Sequence, residues 1–313
     1  MRWRLAFLPA VLLALAGCED SGAPEKLAYR EDFHRTYALR AGGTISLDTF
    51  NGAVEIAGWD GDTVDVEGSK FAASPDLRDS IELQIQSEPG SLRIAATFPK
   101  KKTDRAGARF RLRVPRHVEI DHVATSNAAV RVQDIDGSIK LRTTNAAVSS
   151  ERIRGSVEVI TTNGGVELHE ISGPAFVRTS NGRVMAEGVY AGIDAVTSNG
   201  SIAAEIKTSE PRRLVKLETT NGSIDLSLDK PLEHMVQAST SNAGITVRMR
   251  EDAGAQVRAT TSNAPISTDF DVKSDVERFS RLEGTIGDGA ASLNLSTSNA
   301  SIQLMKKNRA EIQ

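Results

Sequence analysis

Apolar residues along this chain keep two periods at once, every second residue within short runs and, over much of its length, every eighteenth residue between runs. The marker is an asparagine at Asn127, Asn145, Asn163, Asn181 and Asn199, then at Asn221, Asn242, Asn263 and Asn299, with an earlier copy at Asn51. Two residues before each stands a threonine, and three after each stands Val or Ile, from Val54 and Val130 to Ile266 and Ile302. Four before lies another small or aliphatic residue, among them Leu47, Val123, Leu141, Val159, Val177 and Leu295. Spacing in twos predicts that one strand runs into each asparagine and a second leaves it, with apolar residues on one shared face. Gly137, Gly155, Gly173 and Gly192 mark a second corner between them.

Such a unit cannot fold alone. Four buried aliphatics contribute about 6 to 12 kcal/mol, whereas ordering one coil costs upward of about 18 kcal/mol. Stacking of coils must supply the difference, each coil satisfying the backbone of the next. In a stack, equivalent asparagine amides can bond up the column, and Asn with its neighbouring Gly or Ala would turn the corner in a left-handed conformation. An antiparallel meander is the competing arrangement, because Asn-Gly between alternating runs is also a hairpin signal. Hairpins, however, do not require identical residues at a fixed period. The fold expected is therefore all-β, a parallel β-solenoid (β-helix) of about 18–22 residues per coil with an N-terminal β cap.

The pattern breaks twice. Ile81, Leu83 and Ile85 face Leu92 and Ile94 around Glu88-Pro89-Gly90, which reads as a hairpin within the cap. Between Asn263 and Asn299 the step doubles, so residues 270–288 read as a degenerate coil or a loop insertion. The resulting division is 1–17 export signal, 18–29 lipidated cysteine and tether, 30–120 N-terminal β region and cap, 121–305 solenoid, and 306–313 polar tail.

The start of the chain carries an address. Arg2 and Arg4 precede an apolar run from Leu5 to Ala16 that is too short to cross a bilayer. It ends in Leu15-Ala16-Gly17-Cys18, which resembles the lipobox of bacterial lipoproteins and implies acylation of Cys18. Cys18 is also the only cysteine, so no internal disulfide is available.

The repeated Thr-Ser-Asn-Gly/Ala-x-Val/Ile unit, the Asn51-Gly52 copy and the Gly58-Trp59-Asp60 segment resemble the "putative adhesin" family of bacterial envelope proteins over roughly residues 40–305. That resemblance implies a β-strand repeat without an assigned activity, and it transfers no catalytic residue.

Composition adds little aromatic content, 4%, to a formal charge of −3. This is too near neutral for a nucleic-acid partner. Candidate chemistry must lie on outward positions. Glu151, His169, Glu187 and Glu205 each fall six residues after an asparagine and would form a stripe about 4.8 Å from rung to rung, with the residue types for Ca²⁺ or Zn²⁺. Arg109, Arg111 and Arg113 alternate with apolar residues and, with Lys100, Lys101, Lys102, Arg105 and Arg116 nearby, suggest a patch for anionic lipid or acidic polysaccharide, or else charge protecting a sheet edge. His117, Glu119 and Asp121 share one strand face at a spacing too wide for ligation. His34, His122 and His234 have no convergent partners in the sequence, and no phosphate loop, nucleophile elbow or paired-cysteine motif is present. The expectation is a non-enzymatic envelope lipoprotein, an adhesin or scaffold without a cofactor, meeting the membrane through its anchor and an envelope polysaccharide or protein through its surface. The alternative is a carbohydrate-active lyase or hydrolase on a β-helix.

Overall fold

The computed structural model describes residues 29–98, 106–207, 214–229 and 235–307. The export signal, Cys18, the tether up to residue 28, Lys100 to Lys102, Arg105, His234 and the tail beyond 307 lie outside the described residues.

Two long sheets, of 13 and 14 strands, face each other, and each coil gives one strand to each. In the coil around Asn145, for example, Ile139–Arg142 lies in the 14-stranded sheet and Val148–Ile153 in the 13-stranded one. Neighbouring coils pair in parallel and in register, so that Val148, Val166, Val184, Ile202 and Ile224 form one column. Ile139, Val157, Ala175, Ile193, Val215 and Val236 form another in the opposite sheet. Both columns are buried and together make one continuous core. This is the parallel solenoid predicted from the spacing. No helix among the described residues is long and apolar enough to cross a membrane.

The asparagines stack as expected. Each side-chain amide donates to the Oδ1 of its neighbour at 2.6–2.8 Å, from Asn127 onto Asn51 up to Asn263 onto Asn299. The conformational argument for the corner needs correction, however. Among the ladder residues Asn51 has positive φ (50°), and the others do not. Glycine follows Asn181 for another reason: a Cβ on Gly182 would lie 1.7 Å from the carbonyl oxygen of Gly164 in the coil below. At the glycine corners the chain thus needs room for a passing carbonyl, not a left-handed turn, while alanine follows Asn127, Asn145, Asn242, Asn263 and Asn299.

Those close corners organise the buried threonines. Thr179 Oγ1 donates to the Gly164 carbonyl (3.1 Å) and accepts from the Gly182 amide (3.2 Å); Thr197 repeats this with Gly182 and Gly200. Thr125 and Thr143, in coils whose corner residue is alanine, leave their buried hydroxyls without a partner among the described residues.

Both ends depart from the simple stack. At the N-terminal end, Thr44–Asp48 and Val54–Trp59 already form a coil beneath that of Asn127, and Ser91–Thr97 with Ala106–Pro115 form another beneath it. Antiparallel strands finish this end: Glu82–Glu88 on one sheet, Thr63–Ala72 and then Tyr29–Ala38 on the other. Ala106–Pro115, which carries the arginines, is consequently an interior strand, and edge protection does not account for its charge.

At the C-terminal end, residues 270–288 are neither a coil nor a loose insertion. Val272–Arg278 and Arg281–Ile286 form an antiparallel hairpin that extends the 14-stranded sheet beyond Ala255–Thr260. The chain then turns back through Gly287 and Gly289, both at positive φ, and its last coil, Ala291–Ser296 with Ile302–Lys306, slips between the Asn242 and Asn263 coils. Lys307 seals the insertion: its side chain is 6% exposed and its ammonium pairs with Asp229 and, at 3.9 Å, Glu205.

Candidate functional site

The outer face of the 13-stranded sheet gathers the candidate residues, because outward positions of successive strands fall side by side. One row runs His34, Glu67, Arg111, Glu55, Arg131 across five neighbouring strands. Arg111 thus lies between Glu67 and Glu55 at the interstrand spacing, whereas Arg131 has Glu55 on one side and Ser149 on the other.

The three arginines do share this face, as their alternation predicted, but two of them are engaged. Arg111 Nε bonds Glu55 at 3.0 Å. Arg113 lies opposite Asp65 and stacks its guanidinium 4.6 Å from the ring centroid of Trp59, whose indole N–H is fixed on the Thr63 carbonyl at 2.9 Å. Arg109 lies opposite Ser69 with no ion-pair partner among the described residues. Arg30, Asp32, Glu55, Glu67, Arg109 and Arg111 surround a hollow of about 440 Å³. Its lining balances acids against bases, so it is a mixed site and not a cationic one.

Glu151, His169 and Glu187 are neighbours in register, as the 18-residue step required. Glu205 follows across a shift of register. The four border a hollow of about 460 Å³ together with Arg152, Glu170 and Lys207. Their side chains pair rather than converge: Glu151 with Arg152, His169 Nδ1 with Glu187 at 3.3 Å, and Glu205 with Lys207 at 3.4 Å. The Lys207 ammonium is raised in pKa, first by the charge of Glu205. Among the described residues no group of three or more His, Cys, Asp or Glu is placed to hold a metal ion. The third set disperses similarly, with His117 near Asp136 (3.5 Å), Glu119 accepting from the Ser138 amide (2.7 Å) and Asp121 facing Lys140 (3.2 Å). His122 bonds Asp48 at 3.1 Å.

Beside the stripe runs a column that the spacing of asparagines alone does not reveal. Asp134 (φ 60°), Arg152 (53°), Glu170 (54°) and Gly188 (69°) occupy the left-handed region on four successive rungs, each an extra residue bulged out of the pairing. Arg152 holds Asp134 through two bonds of 2.8 and 3.0 Å, Arg116 approaches the same carboxylate at 3.4 Å, and Arg116 in turn binds Asp60 at 2.7 Å. The hydrogen bond from Arg152 keeps the Asp134 carboxyl below its ordinary range, and that same bond raises the Arg152 guanidinium. A signal was present: the next buried aliphatic stands eight residues after Asn127, Asn145, Asn163 and Asn181 (Ile135, Ile153, Ile171, Val189) but seven after Asn199 and Asn221 (Ile206, Leu228). The extra residue is the bulge.

Comparison with known proteins adds the family. Among curated proteins none matches this chain. Solved structures similar to this chain include a "putative cell adhesion protein" from Clostridium sporogenes, at 8% identity and TM-score 0.22, covering 88% of this chain and 100% of that one, and a "putative adhesin" from Bacteroides fragilis, at 12% identity and TM-score 0.42, covering 88% and 97%. The family model described as Toastrack DUF4097 matches residues 78–305, nearly three quarters of the sequence. The chain belongs to the Toastrack DUF4097 family.

Proposed function

We propose that this protein is a non-enzymatic lipoprotein of the bacterial cell envelope, anchored through Cys18, that presents a rigid β-surface to an envelope polysaccharide or protein partner as an adhesin or scaffold. The observation that carries the reading is the make-up of the outer face. Ser149, Glu167, Met185, Ala203, Asp225 and Thr246 succeed one another in one outward column, mostly short and chemically mixed, without the converging polar groups around a deep cleft that turnover of a glycan needs. Glu187 and Glu205, on neighbouring strands of that face, are each engaged by a side chain, His169 and Lys207 respectively. Anchoring is supported by the lipobox-like Leu15-Ala16-Gly17-Cys18 alone.

A glycan array combined with a reducing-end release assay tests the activity. Binding without release is the expected result, and release of product overturns the non-enzymatic reading. Anchoring is tested by mass spectrometry of the N-terminal peptide and by Cys18→Ser: the wild type partitions with membranes and carries acyl mass, the variant does neither. An unmodified Cys18 refutes the anchor.

A further inference from the structure

The outermost strand of the 13-stranded sheet, Tyr29–Ala38, is ten residues long, and one of its sides has no neighbour among the described residues. Nearly every residue on it is exposed. A long open edge is a template for pairing, and proteins usually shorten or cover such strands. Here the order of side chains is itself informative. About Phe33 the sequence is a chemical palindrome: Asp32 mirrors His34, Glu31 mirrors Arg35, and Tyr29 mirrors Tyr37. An antiparallel copy of the strand placed with its Phe33 opposite this Phe33 would set acid against base at four positions and aromatic against aromatic at three.

We propose that this edge pairs with the same edge of a second copy about a two-fold axis at Phe33, joining two 13-stranded sheets into one. The alternation of faces agrees with the match. Phe33 lies across from Gly68 and packs edge-on against buried Phe110 at 5.7 Å, so the odd residues Tyr29, Glu31, Phe33, Arg35 and Tyr37 face the core side. The even residues Arg30, Asp32, His34 and Thr36 face outward. In the paired arrangement the aromatic residues would meet on one face, with Glu31 against Arg35 beside them, and Asp32 would meet His34 on the other. The charges are accessible. The Arg35 side chain has no ion-pair partner among the described residues, and the side chains of Glu31, Asp32 and His34 stay 49%, 66% and 60% exposed although Glu31 contacts Lys70 and, at 3.9 Å, Arg78, Asp32 contacts Arg30, and His34 lies 3.8 Å from Asp65. Self-complementarity of this kind is what a two-fold interface demands, residue i meeting j while j meets i. Cross-strand opposite charges favour it and like charges oppose it.

Sedimentation of the full chain carrying Cys18→Ser, up to about 300 µM, tests the pairing. The parent is expected to dimerise. Arg35→Glu and Glu31→Arg each set like charges face to face twice and should weaken the dimer by about tenfold or more. The double variant Glu31→Arg/Arg35→Glu restores opposite charges and should recover the parent's association. In addition, Asp32→Cys and His34→Cys chains mixed under mild oxidation should form a mixed disulfide faster than either chain alone. A parent that stays monomeric overturns the proposal, as does a double variant no better than the singles while its circular dichroism matches the parent's.

Discussion

Asn299 donates its side-chain amide to Asn242, 57 residues earlier in the chain, and receives one from Asn263, 36 residues earlier. The last coil is therefore the penultimate rung. Thr246 and Gln303 are adjacent on the outer face, and Ser267 lies one strand further. With Cys18 replaced, Thr246→Cys/Gln303→Cys should close a disulfide under mild oxidation. Thr246→Cys/Ser267→Cys should not, because two strand spacings, about 9.6 Å, exceed the reach of the bond. The reverse yield would mean that coils stack in chain order.

The threonine column predicts two different outcomes for one chemical change. Thr197→Val removes both the bond to the Gly182 carbonyl and that from the Gly200 amide, and should cost about 1 to 3 kcal/mol in denaturant unfolding. Thr143→Val deletes a buried hydroxyl with no partner and should be neutral or mildly stabilising. Equal losses at the two positions would refute the assignment of the hydrogen bonds.

Asp134 supplies a pH dependence. Because its folded pKa lies below the ordinary value of about 3.9, its pairing with Arg152 contributes fully above that ordinary value and fades as pH falls through the folded one. Asp134→Asn keeps a residue that tolerates left-handed backbone. The variant should be less stable than the parent at pH 7 by up to about 1 kcal/mol, and this gap should shrink below about pH 4. A gap independent of pH down to 3 would show that the charge contributes nothing.

Glu170 is an exposed residue held at φ 54°, one rung below a glycine in the same conformation. Glu170→Gly relieves a left-handed side chain and should raise the melting temperature, by an amount corresponding to about 1 kcal/mol or less. Glu170→Val places a β-branched residue there and should lower it. A lowered melting temperature for the glycine variant would mean that the glutamate's attraction to Arg152 outweighs backbone strain.

The stack was legible because the chain repeats its own constraints. Thr before Asn and Val or Ile after it recur in each rung of the asparagine ladder, since each meets a similar neighbour, and the register Val148, Val166, Val184 follows from counting. The order of rungs at the far end was not. Asn263 stands 21 residues after Asn242, as Asn242 does after Asn221, so direct stacking and insertion of the Asn299 coil satisfy the same pattern. Site chemistry was half legible. Period alone placed Glu151, His169 and Glu187 side by side, but whether they converge depends on Arg152 and Lys207, whose positions follow from the bulge and the shift of register after it. Likewise Arg111 looked like part of a basic run until strand pairing brought Glu55 and Glu67 beside it from distant parts of the sequence.

The amides of the asparagine column all hand their hydrogens the same way, toward the Asn51 end, where Asn51 passes its own to the Ala106 carbonyl. The molecule is in this sense a one-way street with unlike termini. At Asn263 a newcomer would have to bring a hydrogen; at the other end the street is already closed by backbone. The oxygen end at Asn263 is not bare: the turn of the C-terminal hairpin accepts the Thr261 amide on the Ser280 carbonyl and the Ile266 amide on the Phe279 carbonyl, so the chain itself stands across the route by which another row could be added.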